Sequence, residues 1–171
     1  RAFTPAPGEP LRASPGTTPE EVERRLRAAA DAYRSWRRAS FAERSAPLRR
    51  AADGLREGRD AFARLMAEEM GKPITQAEAE VEKCAWACEY FAEHAERLLA
   101  PEPIATDASL SFVRCDPLGP ILAVMPWNFP FWQVFRAAAP ALMAGNVLLL
   151  KHASNVPGCA LAIEALFGVA G

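Results

Sequence analysis

The length, composition and charge of the chain describe one globular unit of ordinary size. It has 171 residues, 50% of them hydrophobic and 24% charged, and its formal net charge is −1. A chain of this length can bury a real core, and its composition is not that of a disordered protein. Nothing in the charge balance indicates binding to nucleic acid or a membrane surface. Since no apolar run is long enough to span a bilayer and no secretory leader is evident, we expect a cytoplasmic protein.

The N-terminal half predicts an extended lead-in followed by helices. Residues 1–19 are rich in Pro and Gly and predict an extended segment with a short strand near Pro10 to Ala13. Capping boxes that begin at Thr18 and Ser40 each predict a helix start, and Pro47 is expected to kink the second helix. The predicted helices cover residues 19–38, 41–57, 59–70 and 75–99, and the third ends at Gly71.

Of the four cysteines, Cys84 and Cys88 are predicted to be core residues and not metal ligands. Without an export signal they are expected to be reduced. Cys84 and Cys88 lie one helical turn apart, but two thiols do not complete a zinc shell, and His94 falls on a different helix face. We therefore expect small buried thiols and no metal site.

The pattern after Pro101 changes to that of a parallel α/β sheet. Strands are predicted over residues 109–115, 121–125 and 146–151, and helices over 131–144 and 157–170. The last two strands are apolar on both faces, as buried parallel strands are. Two such strands cannot bury themselves, so the sequence predicts that they belong to a larger sheet.

Two conspicuous polar residues follow these strands. Asn128 lies in the sequence PWNFP at residues 126–130, and Lys151 ends the next strand. Ligands of α/β proteins bind at the carboxyl ends of strands, so we expect the two side chains to share one crevice. An amide suits a developing oxyanion, and a lysine suits a ribose hydroxyl or phosphate. On these features alone the alternatives stay open, because Asn128 also suits a turn and Lys151 an exposed strand end.

A family resemblance bears on those alternatives. The PWNFP sequence, followed by GNVLLLK at residues 145–151, resembles the aldehyde dehydrogenase superfamily. The helical front fits as well, including EMGKP at residues 69–73, and so does DPLG at residues 116–119. The resemblance extends from about Gly8 to Gly171. It implies that residues 1–103 form the helical part of the cofactor-binding domain and that residues 104–116 form a strand of the oligomerisation arm. Residues 117–171 would form the start of a Rossmann-like sheet, and the catalytic domain would be absent.

The same resemblance implies roles for individual residues. Asn128 matches the oxyanion-hole asparagine, and Lys151 the lysine that binds a ribose of NAD or NADP. The wall beside the nicotinamide matches Met125, Pro126 and Trp127. Where many NAD-preferring members carry a Glu that binds the adenosine ribose, this sequence has Ser154, so we expect NADP to be tolerated.

Arg136 indicates the class of substrate that the resemblance implies. It lies three residues after Gln133, on a helix face that lines the aldehyde channel in the family. Succinate-semialdehyde dehydrogenases resemble this sequence in having Arg at that position. Bacterial members also resemble it in the amino-acid sequence of residues 151–155. A guanidinium binds a carboxylate bidentately, so the expected substrate is a small semialdehyde such as succinic semialdehyde. The alternative is an Arg paired with a structural acid or with solvent.

The family's catalytic cysteine, its general-base glutamate and its Gly-Ser-Thr cofactor loop have no match here. None of the four cysteines matches the nucleophile position. Three interpretations follow: a segment of a longer dehydrogenase that forms dimers or tetramers, an inactive stand-alone chain that binds a dinucleotide weakly, or a helical interaction module. The first is favoured because the apolar strands need partners.

Overall fold

The computed structural model describes residues 2–5, 8, 10–12 and 16–171. They form six helices and six short strands, the mixed α/β architecture that the sequence predicted. In chain order they are β1 (Ala2–Phe3), β2 (Pro10–Arg12), α1 (Pro19–Trp36), α2 (Phe41–Glu57), α3 (Arg59–Met70), α4 (Ile74–Leu98), β3 (Glu102–Pro103), β4 (Phe112–Val113), β5 (Pro120–Met125), α5 (Trp132–Met143), β6 (Val147–His152) and α6 (Pro157–Ala170). The strand predicted near residues 10–13 is β2, and Ala13 lies outside the described residues.

Local capping explains where the first helices begin and end. At Ser40 the capping box is complete, because the Ser40 side chain accepts the Glu43 N–H while the Glu43 carboxylate accepts the Ser40 N–H. At Thr18 only half of the predicted box forms. The Glu21 carboxylate instead accepts hydrogen bonds from Arg24 and Arg25, which lower its pKa to about 2. Helix α3 ends as predicted at Gly71, whose φ of +73° is the left-handed conformation that glycine adopts readily.

The core lies among the helices and against one face of the β5–β6 pair. Helix α4 packs against α2, α3 and α5, while α6 packs against α2 and α3. Cys84 and Cys88 are fully buried on α4, which confirms their prediction as core residues. Phe135 stacks on Phe131 and Phe167 at centroid distances of 6.4 and 5.4 Å, so aromatic contacts join α5 to α6.

Strands β5 and β6 pair in parallel, as predicted, with α5 as the crossover. Ala123 on the inner face of β5 is 5% exposed, but Leu122 and Val124 on the other face are 66% and 63% exposed. The pair is therefore covered on one face only, as expected for two apolar strands that cannot bury themselves. A face of this kind is apolar surface that a parallel sheet normally covers.

The strand predicted over residues 109–115 is shorter than expected. Only Phe112–Val113 forms β4, which pairs antiparallel with Glu102–Pro103, a strand that the sequence pattern did not predict. A strand lasts only as long as its hydrogen-bonding partner, and the partner here is two residues long. Leu110 beside this hairpin is 75% exposed. Among the described residues, no helix has both the length and the apolar character needed to cross a membrane.

Candidate functional site

The predicted site residues lie at one edge of the parallel pair. Met125, the last residue of β5, is opposite His152, the last residue of β6. The PWNFP segment, which we call the 126–130 turn, continues from β5, and Ser154 lies in the turn after β6. Because both strands end at the same edge, Asn128 and Lys151 leave the sheet on the same side. Both side chains are exposed.

Glu80 of α4 anchors the start of the helix that follows the 126–130 turn. Its Oε1 accepts backbone N–H groups from Phe131 at 2.9 Å and Trp132 at 2.8 Å. Helix α5 has no side-chain cap of its own, so this carboxylate takes the place of one. Glu80 is 4% exposed, and a buried carboxylate needs such compensation.

Lys72 completes that compensation. Its ammonium forms a buried ion pair with Oε2 of Glu80. The same Nζ lies 3.5 Å from the backbone oxygen of Asn128 and 3.6 Å from the ring centroid of Phe129. Lys72 is 6% exposed, so its charge is neutralised by Glu80 and by the turn instead of by solvent.

His152 connects the end of β6 to the same turn. Its Nδ1 accepts the Ala153 N–H at 2.8 Å, so the proton of the neutral ring is on Nε2, which donates to the Pro130 carbonyl at 2.8 Å. Burial lowers the pKa of His152, and the bond to Pro130 opposes that shift. The ring is therefore a neutral link between the two strand ends.

A second buried glutamate performs the same capping at α6. Glu69 of α3 accepts the Gly158 N–H at 2.7 Å and the Cys159 N–H at 2.9 Å. Like Glu80 it is 4% exposed. A Cβ on Gly158 would lie 2.7 Å from a Glu69 oxygen, so glycine allows this close approach. The first N–H groups of α6 are thus already bonded and are not free to bind an anion.

Asn146 fixes the opposite end of the sheet. Its Oδ1 accepts N–H groups from Leu118 at 2.7 Å and Gly119 at 3.1 Å, while its Nδ2 donates to the Ala141 carbonyl at 3.3 Å. Asn146 is 7% exposed. In the GNVLLLK sequence the asparagine is therefore structural: it ties the start of β6 to the start of β5.

The sequence segment that forms the strand ends carries basic side chains and no acidic ones. Residues 117–163 contain no Asp or Glu but include Arg136 and Lys151. Both are exposed, and within the described part of the chain neither forms an ion pair or a hydrogen bond. Among the described residues no acid pairs with Arg136, and its exposure fits the other half of that alternative, an Arg that faces solvent. Gln133, on the same helix, is half-buried. Exposed and unpaired cations such as Arg136 and Lys151 suit anionic ligands.

A cavity of about 300 Å³ lies on the α4 side of the turn. Phe129 and Trp132 line it together with Lys72 and Lys83, whose ammonium lies 4.0 Å from the Trp132 ring centroid. It does not include the residues predicted to bind cofactor or substrate.

The buried cysteines are poorly suited to act as nucleophiles. Burial raises the pKa of Cys88 to about 12 and raises the pKa of Cys84 and Cys159 as well. A thiolate is the reactive form, so these thiols are inert near neutral pH. Cys115 is exposed and follows β4. In the described residues, no group of three or more acidic, histidine or cysteine side chains is arranged to bind a metal ion.

Comparison with known proteins identifies the family. The sequence matches the aldehyde dehydrogenase family over residues 1–171. The chain belongs to that family. It is 57% identical over 169 residues to the probable NADP(+) succinate-semialdehyde dehydrogenase of Synechocystis sp., and 44% identical over 170 residues to the NAD(P)+ succinate semialdehyde dehydrogenase Sad of Escherichia coli. Each match covers 99% of this chain but 37% of the relative, so the chain spans little more than a third of their length.

Solved structures agree with this assignment. The succinic semialdehyde dehydrogenase of Streptococcus pyogenes, solved with NADP+, superimposes with a TM-score of 0.94 at 37% identity. The superposition covers 99% of this chain and 38% of that one. The fold is therefore that of the N-terminal part of an aldehyde dehydrogenase, as the sequence analysis predicted.

The sequence analysis missed Lys72 and Glu80, which support the 126–130 turn from behind, and Glu69, which caps α6. Lys72 and Glu69 entered only as letters of the EMGKP resemblance, and Glu80 did not enter at all. The available indication was periodicity: Glu80 lies three residues after Ala77 and four before Cys84, on the buried stripe of α4. A carboxylate on an apolar stripe predicts a buried partner, although it does not say which one.

Proposed function

We propose that this chain is part of an NAD(P)-dependent aldehyde dehydrogenase that oxidises a carboxylate-bearing semialdehyde, such as succinic semialdehyde, to the acid. The observation that carries the proposal is the parallel strand pair that ends in the supported 126–130 turn and in Lys151, in a chain that belongs to the aldehyde dehydrogenase family. The names of the relatives support the semialdehyde, the NADP and the NAD(P) assignments.

The groups at the strand ends fit a dinucleotide in part. Lys151 is exposed and unpaired among the described residues, and Ser154 offers an exposed hydroxyl with no carboxylate nearby in sequence. These are suitable donors for ribose hydroxyls and for a 2′-phosphate. The wall would be formed by Met125, Pro126 and Trp127. Since Glu69 already occupies the N–H groups of α6, we propose that the diphosphate binds to sequence outside this chain.

Asn128 would act on the aldehyde oxygen. NAD(P), when bound, accepts the hydride that leaves the aldehyde carbon. The Asn128 amide donates a hydrogen bond to the oxygen as it becomes negatively charged after thiolate attack. This chain supplies the amide and its support. We propose that the thiolate and the general base come from the rest of the polypeptide, and that the 171 residues alone are inactive.

Arg136 would bind the distal carboxylate of the substrate. It is exposed, carries no acidic partner in the described chain, and lies on the helix that begins directly after the 126–130 turn. A charge-assisted, two-bond contact from a guanidinium distinguishes a semialdehyde from an uncharged aldehyde of the same length. Gln133, one turn earlier, would line the same channel.

We also propose how this chain takes part in a larger sheet and in subunit pairing. The exposed apolar face at Leu122 and Val124 is consistent with a larger sheet, and the exposed hairpin around Leu110 is consistent with an arm that pairs subunits. We propose a homo-oligomer, a dimer or tetramer, with residues 104–116 in the arm. The hairpin also includes Glu102–Pro103, which lies just before that range.

The test is steady-state kinetics of the full-length protein that contains this chain, followed by NADPH absorbance. We expect Arg136→Ala to raise KM for succinic semialdehyde roughly 10- to 100-fold, the equivalent of about 1.5–3 kcal/mol for hydrogen bonds to a charged group. KM for butyraldehyde should change little. Arg64→Ala, which removes an exposed arginine from α3, is the matched control and should leave both constants unchanged.

Two results would contradict the proposal in different ways. An equal effect of Arg136→Ala on both aldehydes would remove the carboxylate-binding role. A full-length protein that binds NADPH but reduces no NADP with any aldehyde would favour the alternative, a non-catalytic dinucleotide-binding or helical interaction module.

A further inference from the structure

The start of α5 is supported by a charge that belongs to another helix. Helix α5 has Phe131 at its N-cap position and no side-chain cap of its own, and Glu80 of α4 supplies both missing acceptor contacts. This carboxylate is 51 residues away in sequence from Phe131. The position of this carboxylate therefore depends on the packing of α4 against α5. The carboxylate in turn determines where the 126–130 turn, which precedes α5, is held.

Lys72 adds contacts that a helix cap does not need. Glu69 caps α6 through two similar hydrogen bonds without any lysine partner among the described residues. At α5, by contrast, the ammonium of Lys72 pairs with Glu80 and also lies against the Asn128 carbonyl and the Phe129 ring. The extra contacts fall on the turn itself, one of them on the backbone of Asn128.

These contacts fix the backbone of the turn and leave the Asn128 side chain free. Lys72 contacts residues 128 and 129, His152 accounts for the Pro130 carbonyl, and Glu80 bonds the next two N–H groups. The Asn128 side chain is exposed and, within the described residues, has no hydrogen-bond partner. A fixed backbone that carries a free amide donor is the arrangement that electrostatic preorganisation requires.

We propose that Lys72 and Glu80 are positioning residues, which orient Asn128 towards the aldehyde oxygen by holding the 126–130 turn. This inference rests on the proposed function, because it gives Asn128 its catalytic task. It adds that the oxyanion contact depends on a buried ion pair in the helical layer, away from substrate and cofactor.

The decisive experiment is a double-mutant cycle in the full-length protein at saturating aldehyde and NADP. Glu80→Gln keeps an oxygen that accepts N–H groups but loses the charge that pairs with Lys72. We expect it to lower kcat about 10- to 100-fold, with a smaller change in aldehyde KM, as a small misplacement of a catalytic group does. In an Asn128→Ala background the same substitution should lower kcat by less than about twofold, because the two residues act through one contact.

Glu69→Gln is the matched control. It changes an equally buried glutamate that also accepts two backbone N–H groups, one on each carboxylate oxygen, at the start of the helix that does not follow the turn. Because one capping N–H loses its acceptor, we expect it to lower the unfolding midpoint at least as much as Glu80→Gln and to leave kcat per folded enzyme within about twofold. If Glu80→Gln folds poorly, the pair Lys72→Met with Glu80→Gln avoids an uncompensated buried charge and should show the same loss of kcat.

The outcomes separate the inference from the function on which it rests. Additive effects of Glu80→Gln and Asn128→Ala, or equal kcat losses in Glu80→Gln and Glu69→Gln, would overturn the positioning role while the activity of the wild type stands. An inactive wild type would overturn the proposed function. Amide hydrogen exchange tests the contact independently of activity: Glu80→Gln leaves a neutral and weaker acceptor, so exchange at Phe131 and Trp132 should accelerate, and unchanged exchange there would overturn the inference.

Discussion

Gly145 joins α5 to β6 in a conformation and a space that suit glycine alone. Its φ is +87°, in the left-handed region, where an L side chain costs about 1–2 kcal/mol. A Cβ at this position would lie 2.6 Å from Nη1 of Arg44, 3.4 Å from Cγ of Pro117 and 3.5 Å from Cα of Arg37. The first contact is too short to persist, so something must move.

Arg44 would have to leave a packed position to make room for this Cβ. It is 8% exposed, its guanidinium carbon lies 4.6 Å from the Phe41 ring centroid, and its Nε has no partner among the described residues. Displacement of a packed side chain costs about 1–3 kcal/mol. Together with the backbone strain, Gly145→Ala should destabilise the protein by about 2–5 kcal/mol.

The assay is urea unfolding of the full-length protein, followed by tryptophan fluorescence. Gly168→Ala on α6 is the control, because a Cβ there meets nothing within 4 Å and alanine favours helix by up to about 1 kcal/mol. Arg44→Ala should reduce the added cost of Gly145→Ala to the strain alone, about 1–2 kcal/mol. If Gly145→Ala and Gly168→Ala unfold at the same urea concentration, the reasoning is refuted.

Three further predictions follow from the site. Burial lowers the folded-state pKa of His152, so its stabilising contribution is complete above the unfolded value near 6.5 and is lost as the pH falls towards the folded pKa. His152→Gln should therefore flatten the pH dependence of the unfolding midpoint over that range. An unchanged pH profile would contradict this prediction. Ser154→Glu should raise KM for NADP about tenfold or more and that for NAD much less, since like charges repel by about 1–4 kcal/mol at 4 Å, and equal changes would refute the role. A thiol reagent at neutral pH, with the labelled sites mapped by peptide mass spectrometry, should modify the exposed Cys115 at once. The three buried cysteines should react only after unfolding, and their early labelling would contradict their inert state; they are Cys84, Cys88 and Cys159.

Local rules predicted most helices because their determinants are local. Ser40 and Gly71 mark a helix start and a helix end through contacts within a few residues, and α3 and α6 begin and end where the pattern placed them. The parallel pairing of β5 and β6 followed from a strand–helix–strand order that leaves little choice. The common edge of Asn128 and Lys151 followed from that pairing.

Long-range contacts were beyond the sequence pattern. The length of β4 depends on Glu102–Pro103, and a period-two alternation does not show how long a partner strand is. The Glu80 and Glu69 caps join residues 51 and 89 positions apart, which neither capping rules nor periodicity connect. The resemblance drew attention to the exposed Asn128, but the buried charges that support it are visible only in the packed structure.

The central claim is that Asn128 in this chain stabilises the oxyanion of an NAD(P)-dependent aldehyde oxidation. The most direct measurement is kcat for NADP reduction by the full-length protein with succinic semialdehyde, for the wild type and for Asn128→Ala. Loss of one oxyanion donor costs about 10²–10³-fold in kcat, so the account predicts a decrease of that size with NADPH binding unchanged. A wild type that oxidises the semialdehyde and an Asn128→Ala variant with the same kcat would contradict it.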